Sequence, residues 1–267
     1  MIHLFKRILF KPVYNRWDSL VNRLRKNEKI IHELQNRLRT QEQITEYLIE
    51  SPIFNQAQNV GFNGQIQRKQ IFKGLMNTFP IQSIVETGTW VGNTAGYMVI
   101  ETGIPVNTVE VNPHIYRLAR KRLENYANIF IYQGNSPEFL HRLAETEIAD
   151  LFTFFYLDAH WGTTLPLKDE ITLICNAWKR YIIMIDDFQV PGDDGYRYDS
   201  YYNYGPLSLS TFGDLFSKYN LIPFYPAAPS AEETGSKAGC VVLFMEKDVK
   251  TAESCNSLVK YHRTEAH

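Results

Sequence analysis

Cysteine is scarce in this 267-residue chain, and the three present, Cys175, Cys240 and Cys255, are widely spaced. An odd count with no ligand-like spacing argues against a disulfide framework and against a thiolate metal site, and it fits a reducing, cytoplasmic compartment. Long apolar runs are missing too. No stretch reaches the roughly 18 residues needed to cross a bilayer. Charge of one sign is also lacking: the net charge is −1, which gives no whole-chain signal for nucleic acid, and no nucleic-acid module is recognisable. The first residues, "MIHLFKRILFKP", have neither a long apolar core nor a small-residue cleavage site, so no secretory leader is expected. Peripheral membrane contact by residues 1–12, as a basic amphipathic segment, is the less favoured reading; packing on the chain's own domain is preferred.

What is present divides into four parts: residues 1–50, a linker over 51–65, a main domain over 66–247 and a tail over 248–267. Residues 14–50 have no Gly or Pro. With heptad position a at Trp17, Leu24, Ile31, Leu38 and Thr45, position d falls on Leu20, Asn27, Leu34, Gln41 and Leu48, so seven of ten seam positions are apolar. A sustained period of 3.5 predicts a coiled-coil helix and a homo-oligomer formed through it.

From residue 66 onward, strand-like and helix-like segments alternate. The apolar runs "QSIVET" (82–87), "PVNTVEV" (105–111), "NIFIYQG" (128–134), "LFTFFYLD" (151–158) and "YIIMIDD" (181–187) are separated by helical spacing such as that of "PHIYRLARKRLENY" (113–126). This alternation predicts an α/β, doubly wound, mostly parallel sheet with helices on both faces. Such sheets bind ligands beyond the carboxyl ends of their strands, which collects Glu86, Glu110, Asp158 and Asp186 at one edge. "VETGTWVGNTAGY" has the form acidic-x-Gly-x-x-x-Gly between a strand and a helix, where glycines let a turn approach a ligand and the helix start offers free N–H groups. The Thr-Trp-Val stretch between Gly88 and Gly92 departs from the Gly-x-Gly-x-x-Gly dinucleotide fingerprint and disfavours a nicotinamide cofactor. "RLARKRL" (117–123) reads as the solvated side of a helix.

With these motifs the chain resembles the class I S-adenosylmethionine-dependent methyltransferases over roughly residues 66–245. The resemblance implies a Rossmann-like seven-stranded sheet ending in an antiparallel hairpin, for which "LIPFYP" (221–226) and "GCVVLFM" (239–245) are the candidates. It implies that S-adenosylmethionine lies against Glu86, Thr87, Gly88, Gly92, Asn93, Thr94 and Glu110, with Asn135 and Ser136 at the base and Asp158 alongside.

"FFYLDAHW" and "YIIMIDDFQVPGD" resemble the two metal-binding segments of the catechol-type O-methyltransferases and the acidic pairs of the macrocin-type sugar enzymes. That resemblance implies Mg²⁺ ligated by Asp158, Asp186 and Asp187, with a small-molecule hydroxyl acceptor of sugar or natural-product type. Two departures stand out: the catalytic Lys of the catechol-type enzymes is replaced by Gly162, and Ala159 intervenes before His160. The base therefore cannot be carried over; His160 is the nearest candidate, since its ordinary pKa suits proton transfer, and the alternative is a histidine that packs or hydrogen-bonds near the cofactor. Trp90 and Trp161 are candidate walls of the site. The 19 residues after Asp187 carry five tyrosines and three glycines and predict a lid over the acceptor. A non-catalytic scaffold assembled through the coiled coil and a metal-independent methyltransferase are the alternatives.

Overall fold

The computed structural model describes Arg23 and residues 26–31, 61–160 and 165–261. Contacts divide the chain into two units, Met1–Phe54 and Asn55–His267. In the first unit, Arg23 and residues 26–31 are helical, and Ile30 and Ile31 are exposed. The rest of the proposed heptad seam lies outside the described residues, as does the segment 1–12.

The described residues of the second unit open with a short 3₁₀ turn, Gly61–Gly64, and helix α1, Ile66–Thr78. Then β1 (Ser83–Thr87), α2 (Asn93–Thr102), β2 (Val106–Glu110), α3 (Pro113–Leu123), β3 (Ile129–Gln133), α4 (Ser136–Ala144), β4 (Phe152–Leu157), α5 (Leu167–Ala177) and β5 (Arg180–Asp186) alternate. The expected period is therefore observed. Side chains alternate across β1, β4 and β5, and both faces carry apolar residues: Val85, Phe155 and Ile183 enter one core with α4 and α5, while Ile84, Phe154 and Ile182 enter the other with α1 and α2. Helix starts are set locally. Asn112 accepts from the His114 N–H at 2.9 Å with Pro113 as the first residue of α3, and Asn135 accepts from the Glu138 N–H at 2.9 Å to begin α4.

After β5 the chain makes a small hairpin, β6 (Ser200–Tyr201) with β7 (Gly205–Pro206), then α6 (Leu209–Lys218), β8 (Leu221–Pro226), β9 (Cys240–Met245), α7 (Val249–Ala252) and β10 (Leu258–Lys260). The large sheet has the order β10-β8-β9-β5-β4-β1-β2-β3. Strands β1 to β5 are parallel, while β9 runs antiparallel to both β5 and β8, as the expected terminal hairpin requires. The sheet has eight strands rather than seven. The extra one is β10, which pairs antiparallel with β8 through Leu258↔Pro226 and Lys260↔Phe224, so part of the segment expected to be a tail belongs to the sheet. Three residues are too few for a periodic signal, and pairing against the open edge of β8 supplies their order.

Parallel register aligns the strand ends. Thr87 pairs with Val109 and Leu157, and Leu157 pairs with Ile185. The residues that follow are delivered to one edge together.

Candidate functional site

The loop after β1 is pressed onto the end of β4. Gly88 has φ 88°, and a Cβ there would lie 2.3 Å from the Asp158 carbonyl oxygen. Only glycine meets both demands. Gly92, at φ 82°, abuts the Leu123 side chain and starts α2. Between them Trp90 holds a left-handed φ of 48° and is 53% exposed.

Glu110, buried at the end of β2, accepts from the Trp90 N–H at 2.9 Å and from the Asn112 N–H at 2.8 Å. Burial raises its carboxyl pKa above the usual value despite those donors. Glu86 is deeper. Burial pushes its carboxyl up to about 8, with the Thr108 hydroxyl, donating at 2.5 Å, acting in the opposite sense.

Other predicted cofactor residues do structural work. Thr94 Oγ1 accepts from the Phe62 N–H at 3.1 Å. Asn93 Oδ1 accepts from Arg122 Nη2 at 2.9 Å, and Arg122 Nη1 donates to the Val91 carbonyl. Arg122, expected to be solvated, is thus the brace of the glycine loop. Asn135 caps α4, and Ser136 is buried beside it. Thr87 and Ser136 flank Glu170, a buried carboxyl on α5 whose Oε1 has no hydrogen-bond partner; burial raises its pKa, while those hydroxyls and His160 lower it.

Asp158, His160 and Asp187 converge. One ligand atom from each lies within 4.8 Å of the others, with His160 Nε2 3.9 Å from Asp158 Oδ1 and 3.7 Å from Asp187 Oδ2. The imidazole is buried and its Nε2 has no hydrogen-bond partner, whereas the two carboxylates are partly exposed. Burial, then Asp186, Asp187 and Glu86, push the Asp158 carboxyl well above the usual aspartate range. Asp187 is raised by burial and by Asp186, with His160 opposing. Burial would lower His160, but Asp187, Asp186 and Glu170 together carry it above its ordinary value. An orphaned buried ring nitrogen facing two carboxylates is a donor set that suits a divalent cation.

Asp186 is not part of this cluster. Its Oδ1 accepts from Arg68 Nη1 and from the Asp187 N–H at 2.9 Å, and its Oδ2 accepts from the Tyr156 hydroxyl. Burial would raise this carboxyl, but Arg68 and Tyr156 hold it below the ordinary value. It therefore stands apart from Asp158 and Asp187, the other two expected ligands, with one oxygen on Arg68 of α1 and the other on Tyr156 of β4. The reason is alternation, since neighbouring aspartates at a strand end face opposite ways. Arg68 and Tyr156 were invisible to sequence reasoning, one reading as a helix-surface charge and the other as one more aromatic in an apolar strand.

Of the tyrosine loop, Tyr201 is buried with its ring edge-on to His160 at 6.3 Å, and Tyr196 is buried with its hydroxyl on the Ala228 carbonyl. Tyr198, Tyr202 and Tyr204 are exposed. Trp161 and Gly162 lie outside the described residues.

No protein-family model and no curated protein matches the sequence. Among solved structures, a protein from Klebsiella pneumoniae designated an O-methyltransferase superposes with a TM-score of 0.52 at 14% identity, over 76% of this chain and 96% of that one. The two share a fold. Lower scores are reached by an O-methyltransferase from Bacillus cereus in complex with SAH (0.48, 15% identity, 66% of this chain and 80% of that one) and by human N-acetylserotonin methyltransferase in complex with SAM (0.46, 9%, 67% and 52%). No helix among the described residues is long and apolar enough to cross a membrane.

Proposed function

We propose that this chain is a class I S-adenosylmethionine-dependent methyltransferase that methylates a hydroxyl on a sugar or natural-product acceptor with help from a divalent cation. The observation that carries the reading is the meeting of two half-sites at one sheet edge: the loop pressed against Asp158 through Gly88, and the cluster of Asp158, His160 and Asp187. S-adenosylmethionine would supply an electrophilic methyl group on a sulfonium. The chain's part is to bind and orient. Glu110, whose two oxygens each accept one backbone N–H, keeps lone pairs for ribose hydroxyls. The loop from Gly88 to Gly92 and the start of α2 take the amino-acid end.

Asp158, Asp187 and His160 are our cation ligands, with Asp186 as their anchor. His160 is better suited to ligation than to base catalysis, because its Nε2 is buried and turned to the two carboxylates. A set with one imidazole suits Mn²⁺ or Zn²⁺ better than Mg²⁺. A hydroxyl held beside a cation at these carboxylates would lose its proton more readily. Tyr198, Tyr202 and Tyr204 offer flat faces with hydroxyls, which suit a hydroxylated ring.

Isothermal titration with S-adenosylmethionine tests the reading. Binding in the micromolar range is expected, and no heat at millimolar cofactor would leave the scaffold alternative in its place. Turnover that survives chelation would leave a metal-independent enzyme. Self-association through residues 14–50 and a cytoplasmic location belong to the same proposal; light scattering with and without residues 1–50 checks the first.

A further inference from the structure

Two adjacent aspartates end β5 and have opposite fates. Asp186 is wholly buried and takes three donors: Arg68 Nη1, the Tyr156 hydroxyl and the Asp187 N–H. The last of these closes a small ring at the start of the next residue. Asp187 then sits at a left-handed φ of 50°, which aspartate tolerates better than most side chains but does not prefer. Its carbonyl accepts from the Asp199 N–H at 2.9 Å, and Phe188 N–H donates to the Gly239 carbonyl at 3.1 Å. This backbone turn aims the Asp187 carboxylate at His160.

Arg68 ties Asp186 to the strand entry beside the turn. Besides Asp186, its Nη2 donates to the Ala238 carbonyl at 2.8 Å and the Gly239 carbonyl at 3.0 Å. The Arg68 main chain is fixed as well, because the Glu233 carboxylate accepts the Gln67 N–H at 3.0 Å and the Arg68 N–H at 3.2 Å. One planar guanidinium therefore spans the end of β5 and the entry to β9, a bidentate geometry that an ammonium cannot reproduce.

We infer that Arg68 is a positioning residue for the cation cluster: by holding Asp186 it sets the Asp186–Asp187 turn and so places the Asp187 carboxylate opposite Asp158 and His160. The inference rests on the cation part of the reading above. It adds that a residue on α1, touching none of the ligands, controls their affinity.

The test is Mn²⁺ and S-adenosylmethionine titration of the full chain, with the specific Mn²⁺ site defined as the one lost in Asp187→Ala. Arg68→Lys and the paired change Arg68→Met with Asp186→Leu are compared with wild type. The pair removes both charges together, which spares the protein a lone buried ion. Mn²⁺ affinity is expected to fall about tenfold or more in both, with S-adenosylmethionine affinity within about twofold of wild type. A folded variant, judged by a cooperative melt, that keeps wild-type Mn²⁺ affinity would overturn the inference. If neither folds, Tyr156→Phe decides, since it removes only one of the Asp186 donors; a several-fold loss of Mn²⁺ affinity supports the inference and no loss overturns it. Wild type binding no Mn²⁺ at such a site would end both this inference and the cation reading. Wild type binding Mn²⁺ but no S-adenosylmethionine would end the methyl-transfer reading alone and leave the role of Arg68 intact.

Discussion

Glu86→Gln isolates one buried proton. In the folded chain the Glu86 carboxyl titrates at about 8 against an ordinary value of 4.5, chiefly because it is 1% exposed and its charged form has lost its water. The folded state therefore keeps a proton that the unfolded chain has released across that interval. Stability from this group is complete below the unfolded value and is lost as pH rises through the folded one. At about 1.4 kcal/mol per unit, an interval from 4.5 to about 8 corresponds to roughly 4–5 kcal/mol. Glutamine has the shape of the protonated acid and does not ionise. Cofactor-free wild type is thus expected to lose stability between about pH 5 and about pH 9, while the variant shows a shallower profile and is the more stable protein at the alkaline end. Urea unfolding followed by tryptophan fluorescence across that range reads both curves. Parallel profiles would refute the buried-proton reasoning. Under the proposed function a second signature follows: binding a sulfonium cation beside Glu86 ionises it, so titration in buffers of different ionisation enthalpy should detect proton release that disappears in the variant.

Three further outcomes are expected. Gly88→Ala brings a methyl 2.3 Å from the Asp158 carbonyl at a φ of 88°, so thermal melts should show a loss of roughly 2–3 kcal/mol and cofactor affinity should fall at least about tenfold. Arg122→Gln removes the donors to Val91 and Asn93; calorimetry should record roughly tenfold weaker cofactor binding with at most about 1 kcal/mol of lost stability, because the guanidinium is only partly buried. Under the proposed function, chelation of the purified protein should abolish methyl transfer and added Mn²⁺ should restore it, whereas His160→Gln should need far more Mn²⁺ for the same recovery.

The sheet was legible because its central parallel strands β1, β4 and β5 are buried on both faces and so read as largely apolar runs. The edge rule then gathered Glu86, Glu110 and Asp158 without any knowledge of contacts. Less was legible where a side chain had two uses of similar chemistry. Asn93, Thr94 and Asn135 are small polar groups beside a loop, and such groups satisfy nearby backbone or basic partners as readily as a ligand. Asp186 and Asp187 are chemically identical neighbours; which one faces the cluster depends on Arg68, 118 residues away, and no local pattern carries that information. Arg122 lies in a run of basic residues whose others are exposed, and a helical wheel does not reveal that one of them curls under to a loop.

The Arg68–Asp186 pair spans 118 residues, and the Glu233 contact to the Gln67 N–H spans 166. Contacts this distant along the chain close only after the intervening loops have lost their freedom. Under the proposed function, a cation that recognises only the finished turn would bind after these contacts have closed. An ion that recognises only the finished turn adds nothing to the rate-limiting ensemble and everything to the native state. It should lengthen the lifetime of the folded protein while leaving the folding rate unchanged.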